Sequence, residues 1–232
     1  MSLDRRNDSR TSPLSTRGVR AAACLSLACA AWPAAAQTSG NLGLVSEYAV
    51  RGISLGAHPA LQLRVDHDAP GGWYLGGFVS PATLGDGSQT ELIAYGGRAG
   101  RLPSGLSWDA GISRASFSRD HEYDYDEVHA GLALDRASAR LFLSPAYYGA
   151  APSAYLDLNA FHPLGERLRL TFHAGLMHRF GSDPDTHADL RVGLAATLGD
   201  LTLQLGWQTL LRQAGSGAPR ARALTGSAGI RF

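Results

Sequence analysis

The sequence predicts an all-β chain: a transmembrane antiparallel up-and-down β-barrel of about 12 strands. Three observations carry this. Apolar and polar residues alternate with period 2 through most of the chain after residue 40, which places one apolar and one polar face on each strand. Many of the alternating segments reach the roughly 9–11 residues that a tilted strand needs to cross a bilayer. The connections between them are alternately tight and longer, the layout of an outer-membrane barrel.

Residues 1–36 read as a cleaved export signal. Arg5, Arg6, Arg10, Arg17 and Arg20 form a basic segment, Ala21 to Trp32 a short apolar core, and Ala34-Ala35-Ala36 a small-residue cleavage site before Gln37. The core is too short to span a bilayer. Both cysteines, Cys24 and Cys29, fall inside this segment. Ala21 and Ser26 stand where a lipoprotein signal wants a Leu-like residue. The remaining chain, 37–232, therefore has no disulfide or thiolate chemistry.

The 232 residues hold 21 basic groups, every one Arg, and 20 acidic groups. Residues 1–36 contain five of the Arg and two of the Asp, leaving 16 basic against 18 acidic. So even a balance excludes a nucleic-acid binder that works by charge. No apolar run of about 20 residues follows the N-terminus, which excludes a helical membrane protein.

The strands are predicted at 41–54, 59–68, 72–80, 90–101, 105–117, 126–134, 138–148, 153–162, 166–180, 187–198, 201–212 and 222–232. Leu190, Val192, Leu194, Ala196 and Leu198, for example, alternate with Asp189, Arg191, Gly193, Ala195 and Thr197. Tight connections fall at 69–71, 102–104, 135–137, 163–165 and 199–200; longer polar ones at 81–89, 118–125, 181–186 and 213–221. An even strand count puts both ends on the short-turn side. The closing strand carries the apolar stripe Leu224, Gly226, Ala228, Ile230 and Phe232. A stripe ending in Phe232 is the expected contact with the barrel assembly machinery. A soluble sandwich or lipocalin-like barrel alternates too. The charges, Gly and Ala on the second face favour the membrane form.

Several short motifs occur in order along the chain. They are Ser46-Glu47-Tyr48-Ala49-Val50-Arg51-Gly52-Ile53-Ser54, then Gly72-Trp73-Tyr74-Leu75-Gly76-Gly77 and Glu91-Leu92-Ile93-Ala94-Tyr95-Gly96-Gly97. Asp124-Tyr125-Asp126-Glu127-Val128, Ala154-Tyr155-Leu156-Asp157-Leu158 and Phe172-His173-Ala174-Gly175 follow. In this order and spacing they resemble the Gcw_chp family. The first matches its opening S-x-Y-x-x-R-G-x-S, with Glu47 a departure. The resemblance implies a proteobacterial outer-membrane barrel, and with it a channel.

With the apolar stripes facing lipid, the opposite face is predicted to line a lumen. Its charges are Glu47, Arg51, Arg64, Asp66, Glu91, Asp109, Glu127, Arg140, Asp157, Arg167, Arg169, Asp189, Arg191 and Arg231. About 12 strands exceed the roughly 8 that side chains alone can fill. Opposite charges across the path select small polar or charged solutes. The alternative is that these charges pair and fill the interior. Trp73, Tyr74, Trp108, Tyr147, Tyr148 and Trp207 are expected in aromatic girdles against outer-membrane lipid. Arg220 and Arg222 are candidates for lipopolysaccharide phosphate. Asp120, Glu122, Asp124 and Asp126 read as a solvated loop, since no EF-hand spacing is present, and Asp183-Pro184-Asp185 as a turn. No cofactor or metal is expected. An outer-membrane lipid-modifying enzyme is the rival class, but no G-x-S-x-G or H-E-x-x-H occurs. A non-conducting structural or adhesive barrel is the third reading. His173, predicted inward, is the histidine best placed for a site.

Overall fold

The computed structural model describes residues 36–85, 87–181, 185–212 and 223–232. The predicted signal 1–36, Asp183, Pro184, Arg220 and Arg222 lie outside the described residues, Ala36 excepted.

Among the described residues fourteen strands follow one another: β1 (Gln37–Val45), β2 (Tyr48–Val50), β3 (Ile53–Gly56), β4 (Ala60–Asp68), β5 (Trp73–Leu84), β6 (Gly87–Arg101), β7 (Ser107–Phe117), β8 (Tyr125–Ala133), β9 (Ala137–Tyr147), β10 (Ala151–Pro163), β11 (Leu168–Arg179), β12 (Asp185–Leu198), β13 (Leu201–Arg212) and β14 (Leu224–Arg231). Twelve of them, all but β2 and β3, close into an antiparallel barrel in which sequence neighbours are sheet neighbours. The barrel shuts by pairing β1 with β14, Asn41 opposite Arg231 and Val45 opposite Ser227. Closure leaves no unpaired edge, as a bilayer requires.

Period-2 patterning turns one side of the wall strands outward. Ile112 is 65% exposed, Leu205 56% and Leu92 54%; between them, Asp109, Glu91 and Arg140 are buried. So large an apolar exterior is stable only against lipid. The apolar core sits inside the barrel at the end opposite the tight turns. It includes Tyr48, Leu55, Phe117, Tyr125, Tyr147, Tyr155 and Met177.

The structure corrects the expectations in four places. The first strand is not 41–54: it runs Gln37–Val45, and β2 and β3 form a separate two-stranded sheet. The alternation of 41–54 continues through Tyr48 and Val50, which hides the break. The signal for it is Arg51-Gly52, both at positive φ (52° and 76°) and flanked by the pair Val50 and Ile53. This is a two-residue hairpin turn. Second, 81–89 is not a long loop. β5 and β6 pair through Leu84 opposite Gly87, and their alternation persists, with Ala82, Gln89 and Glu91 buried. Third, Arg167 is exposed in the turn before β11 rather than facing inward. Fourth, only the Trp residues of the expected girdles face outward. Trp73 and Trp207 are 57% and 50% exposed, and Trp108 lies over Gly100 on the outer face. Tyr147 belongs to the internal core, with Tyr148 packed against it, and Tyr74 points inward to His129.

Candidate functional site

The segment between β1 and β4 enters the barrel. Its base keeps the wall in register, because Val45 still opposes Ala60. Ser46 anchors it: its N–H donates to the Gly226 carbonyl at 2.8 Å, and its Oγ accepts from the Gly226 N–H at 3.0 Å. From there β2 and β3 reach across the lumen. Tyr48 packs on Phe78 of β5, with ring centroids 5.9 Å apart. At the tip, a Cβ on Gly52 would meet Asp189 and Leu210, each at 2.8 Å, on the other side of the barrel. Gly at this position is required twice, by space and by its φ of +76°.

Polar side-chain contacts tie the hairpin to the wall. Tyr48 Oη donates to Glu91 Oε2 at 2.5 Å. Burial first, and then the neighbouring Glu91 charge, push the Tyr48 phenol well above its usual range, so it remains a donor. Arg51 Nη2 donates to both oxygens of Glu127, at 2.8 and 2.9 Å, and both side chains are over nine-tenths buried. The Arg51 guanidinium carbon also lies 5.3, 4.6 and 4.3 Å from the ring centroids of Phe142, Tyr147 and Tyr155. Within the hairpin, Ser54 Oγ donates to Glu47 Oε1 at 2.5 Å. Glu47 and Arg51 are thus parts of the internal hairpin, not one face of a wall strand.

The wall charges form three further groups. Asp109 takes the Arg140 guanidinium at 2.8 Å and the His129 ring at 3.2 Å; Tyr74 Oη and His129 Nε2 are 2.9 Å apart. Asp157 and Asp189 flank His173, at 3.1 Å from Nδ1 and 2.7 Å from Nε2. Tyr155 donates to Asp189 at 3.0 Å, and Asn159 to Asp157 at 2.8 Å. Arg64 pairs with Asp66 at 3.2 Å; Tyr95 Oη accepts from Arg64 Nε at 2.8 Å and donates to Asp66. Arg169, Arg191 and Arg231 stand on the inner faces of β11, β12 and β14.

Two glycines make room for these groups. Gly131 sits between Asp109 and Arg140 in the strand register, and a Cβ there would strike Asp109 Oδ1. Gly175 sits between Asp157 and Asp189, and a Cβ there would strike Tyr155 Oη and Asp189 Oδ2. A small residue in one strand lets side chains of both neighbours lie over it.

The charges and His173 were visible in the sequence; the partners Tyr125, His129, Phe142 and Tyr155 were not singled out. Period 2 could have found them. Tyr125 shares a face with Glu127, Phe142 with Arg140, and Tyr155 with Asp157. His173 holds carboxylates, an amide and a phenol, with no serine among its bonded partners. In the acidic loop, Asp124 Oδ1 accepts from the Phe117 N–H at 2.8 Å and Asp120 accepts from Gln89 at 3.0 Å. Among the described residues no group of His, Cys, Asp and Glu is arranged to hold a metal ion.

A family described as a bacterial protein of unknown function (Gcw_chp) matches residues 30–214. No curated protein matches the chain. Among solved structures the chain is similar to the KdgM porin, with a TM-score of 0.53 at 13% identity, over 84% of this chain and 98% of that one. It is similar to the NanC porin, with a TM-score of 0.54 at 11% identity, over 84% and 99%. A KdgM porin in complex with disordered oligogalacturonate gives 0.51 at 11% identity, over 85% and 98%. At such identities the likeness concerns the fold.

Proposed function

Because the chain belongs to the Gcw_chp family and closes a twelve-stranded barrel, we propose that it is an outer-membrane channel for small polar or charged solutes. Residues 1–36 serve as its export signal. The observation that carries this reading is the partition of the wall: leucine, isoleucine and valine lie mostly outward, while Glu91, Asp109, Glu127, Arg140, Arg169 and Asp189 are buried on the inner side. Such a wall separates lipid from a polar path. The path follows the inner groups Arg64, Asp66, Asp109, Arg140, Asp157, Arg169, Asp189 and Arg191, where transverse fields between opposite charges select solutes by charge. Porins of the same fold, one of them in complex with an oligogalacturonate, support a solute-conducting role.

Single-channel recording of the purified protein in a planar bilayer tests it. Discrete current steps are expected, and Asp157→Ala is expected to shift the cation/anion preference, because it removes one carboxylate from the His173 group. A second reading, a non-conducting structural barrel, has one observation in its favour: β2 and β3 occupy the lumen. A folded barrel that never conducts, under any solute tried, selects that reading.

A further inference from the structure

The wall around Arg51 is complete without Arg51. Glu127 comes from β8, Phe142 and Tyr147 from β9, and Tyr155 from β10. The barrel presents these four groups whatever the hairpin does. Three aromatic rings within 5.3 Å of one guanidinium carbon and a carboxylate on its Nη2 are the chemistry that holds a guanidinium or alkylammonium ion. The hairpin that fills this box is not part of the sheet. Its strands pair with each other and not with the barrel. Past Ser46 its contacts with the wall include Tyr48 on Glu91 and Arg51 on Glu127, together with the apolar packing of Tyr48, Val50 and Leu55. If it withdraws, the wall keeps Glu91 and Glu127, and both favour a cation.

We propose that Glu127, Phe142, Tyr147 and Tyr155 form a binding site for organic cations, that Arg51 fills it as an internal ligand, and that a cationic solute competes with Arg51 and releases the hairpin from the lumen. The release step rests on the channel reading. The binding site does not, since the box is a feature of the wall. Competition works because the entering ion replaces the contacts Arg51 gives up, so Glu127 is never left buried without a counter-ion, an arrangement that is strongly unfavourable.

The test uses the full chain in detergent and methylguanidinium chloride, the head group of Arg alone, with equimolar sodium chloride as control. Calorimetric titration is expected to give saturable binding to Arg51→Ala, roughly tenfold weaker binding to the native protein, whose box is already filled, and loss of binding when Glu127→Gln is added to Arg51→Ala. Retained heat-modifiable gel mobility establishes that each variant is folded. Arg51→Lys, which keeps a cation at the tip but loses the planar stacking, replaces Arg51→Ala if the latter does not fold, and is expected to bind more tightly than the native protein. In bilayers, methylguanidinium is expected to raise the open fraction of the native protein, while Arg51→Ala is open without it. A folded Arg51→Ala that binds methylguanidinium no better than the native protein overturns the site. Binding without current in either protein supports the site and overturns the channel reading on which release depends. Current and binding together, with an open fraction indifferent to methylguanidinium, overturn the release step.

Discussion

Five residues of the segment Ser46–Ser54 have separate tasks in the hairpin. Ser46 ties it to β14, Tyr48 reaches Glu91, Arg51 reaches Glu127, Gly52 makes the turn, and Ser54 satisfies Glu47. In the wall, the sharpest demand is for the absence of a side chain. Gly175→Ala would drive a methyl group into Tyr155 Oη and Asp189 Oδ2, parting the hydrogen bond between them. Overpacking of this kind costs about 1–3 kcal/mol. The temperature at which the barrel loses its compact gel mobility is expected to fall in Gly175→Ala. An unchanged midpoint would mean that β10 and β12 shift at no cost.

At the level of the strand, burial is decided by parity. On β7, Ile112 faces outward at 65% exposure, while Asp109 and Phe117 are buried at 3% and 1%. A charge placed on the outer face meets lipid. Ile112→Arg is therefore expected to destabilise the barrel by about 2–4 kcal/mol if it lies near the bilayer midplane, and less toward either interface. Reversible unfolding in lipid vesicles measures this; a cost near zero would put Ile112 outside the hydrocarbon. Parity fails for the tyrosines at the end of β9, where the register shifts. Tyr147 ends β9 on the parity opposite to that of Phe142, but the pairing of β9 with β10 shifts register between Ser144 and Tyr147 and the ring is buried; Tyr148 turns back at positive φ (51°) to stack near Phe117 and Tyr125, 5.7 and 4.9 Å between ring centroids. Being aromatic near a strand end was the only reason to expect them at the lipid interface, and the register shift and the turn outweigh it.

For the whole molecule, up-and-down closure puts both ends of the barrel segment, Gln37 and Phe232, at the end of the tight turns, and the hairpin with its aromatic core at the other. In an outer-membrane protein inserted from the periplasm, the second end faces outward. Glu122→Cys, in the connection before β8, is expected to react with a membrane-impermeant maleimide on intact cells, and Ser104→Cys, in the turn before β7, is not; the reverse pattern would invert the barrel. The wall was legible because alternation is a local property: one residue in two must meet lipid, so the strands after 59 and their order follow from the chain itself. The charged inner face followed from the same count. What lies inside the wall did not. Strand 41–54 kept its alternation on both sides of Val45 and so concealed a chain that leaves the sheet there. Whether Arg51 lines a path or crosses it depends on Glu127, Phe142 and Tyr155, which are 76 to 104 residues away in sequence and become its neighbours only when β1 closes on β14. Patterning sets which side of the sheet a residue takes; what it meets there is set by closure, because contacts across a lumen join residues that share neither a strand nor a neighbouring one.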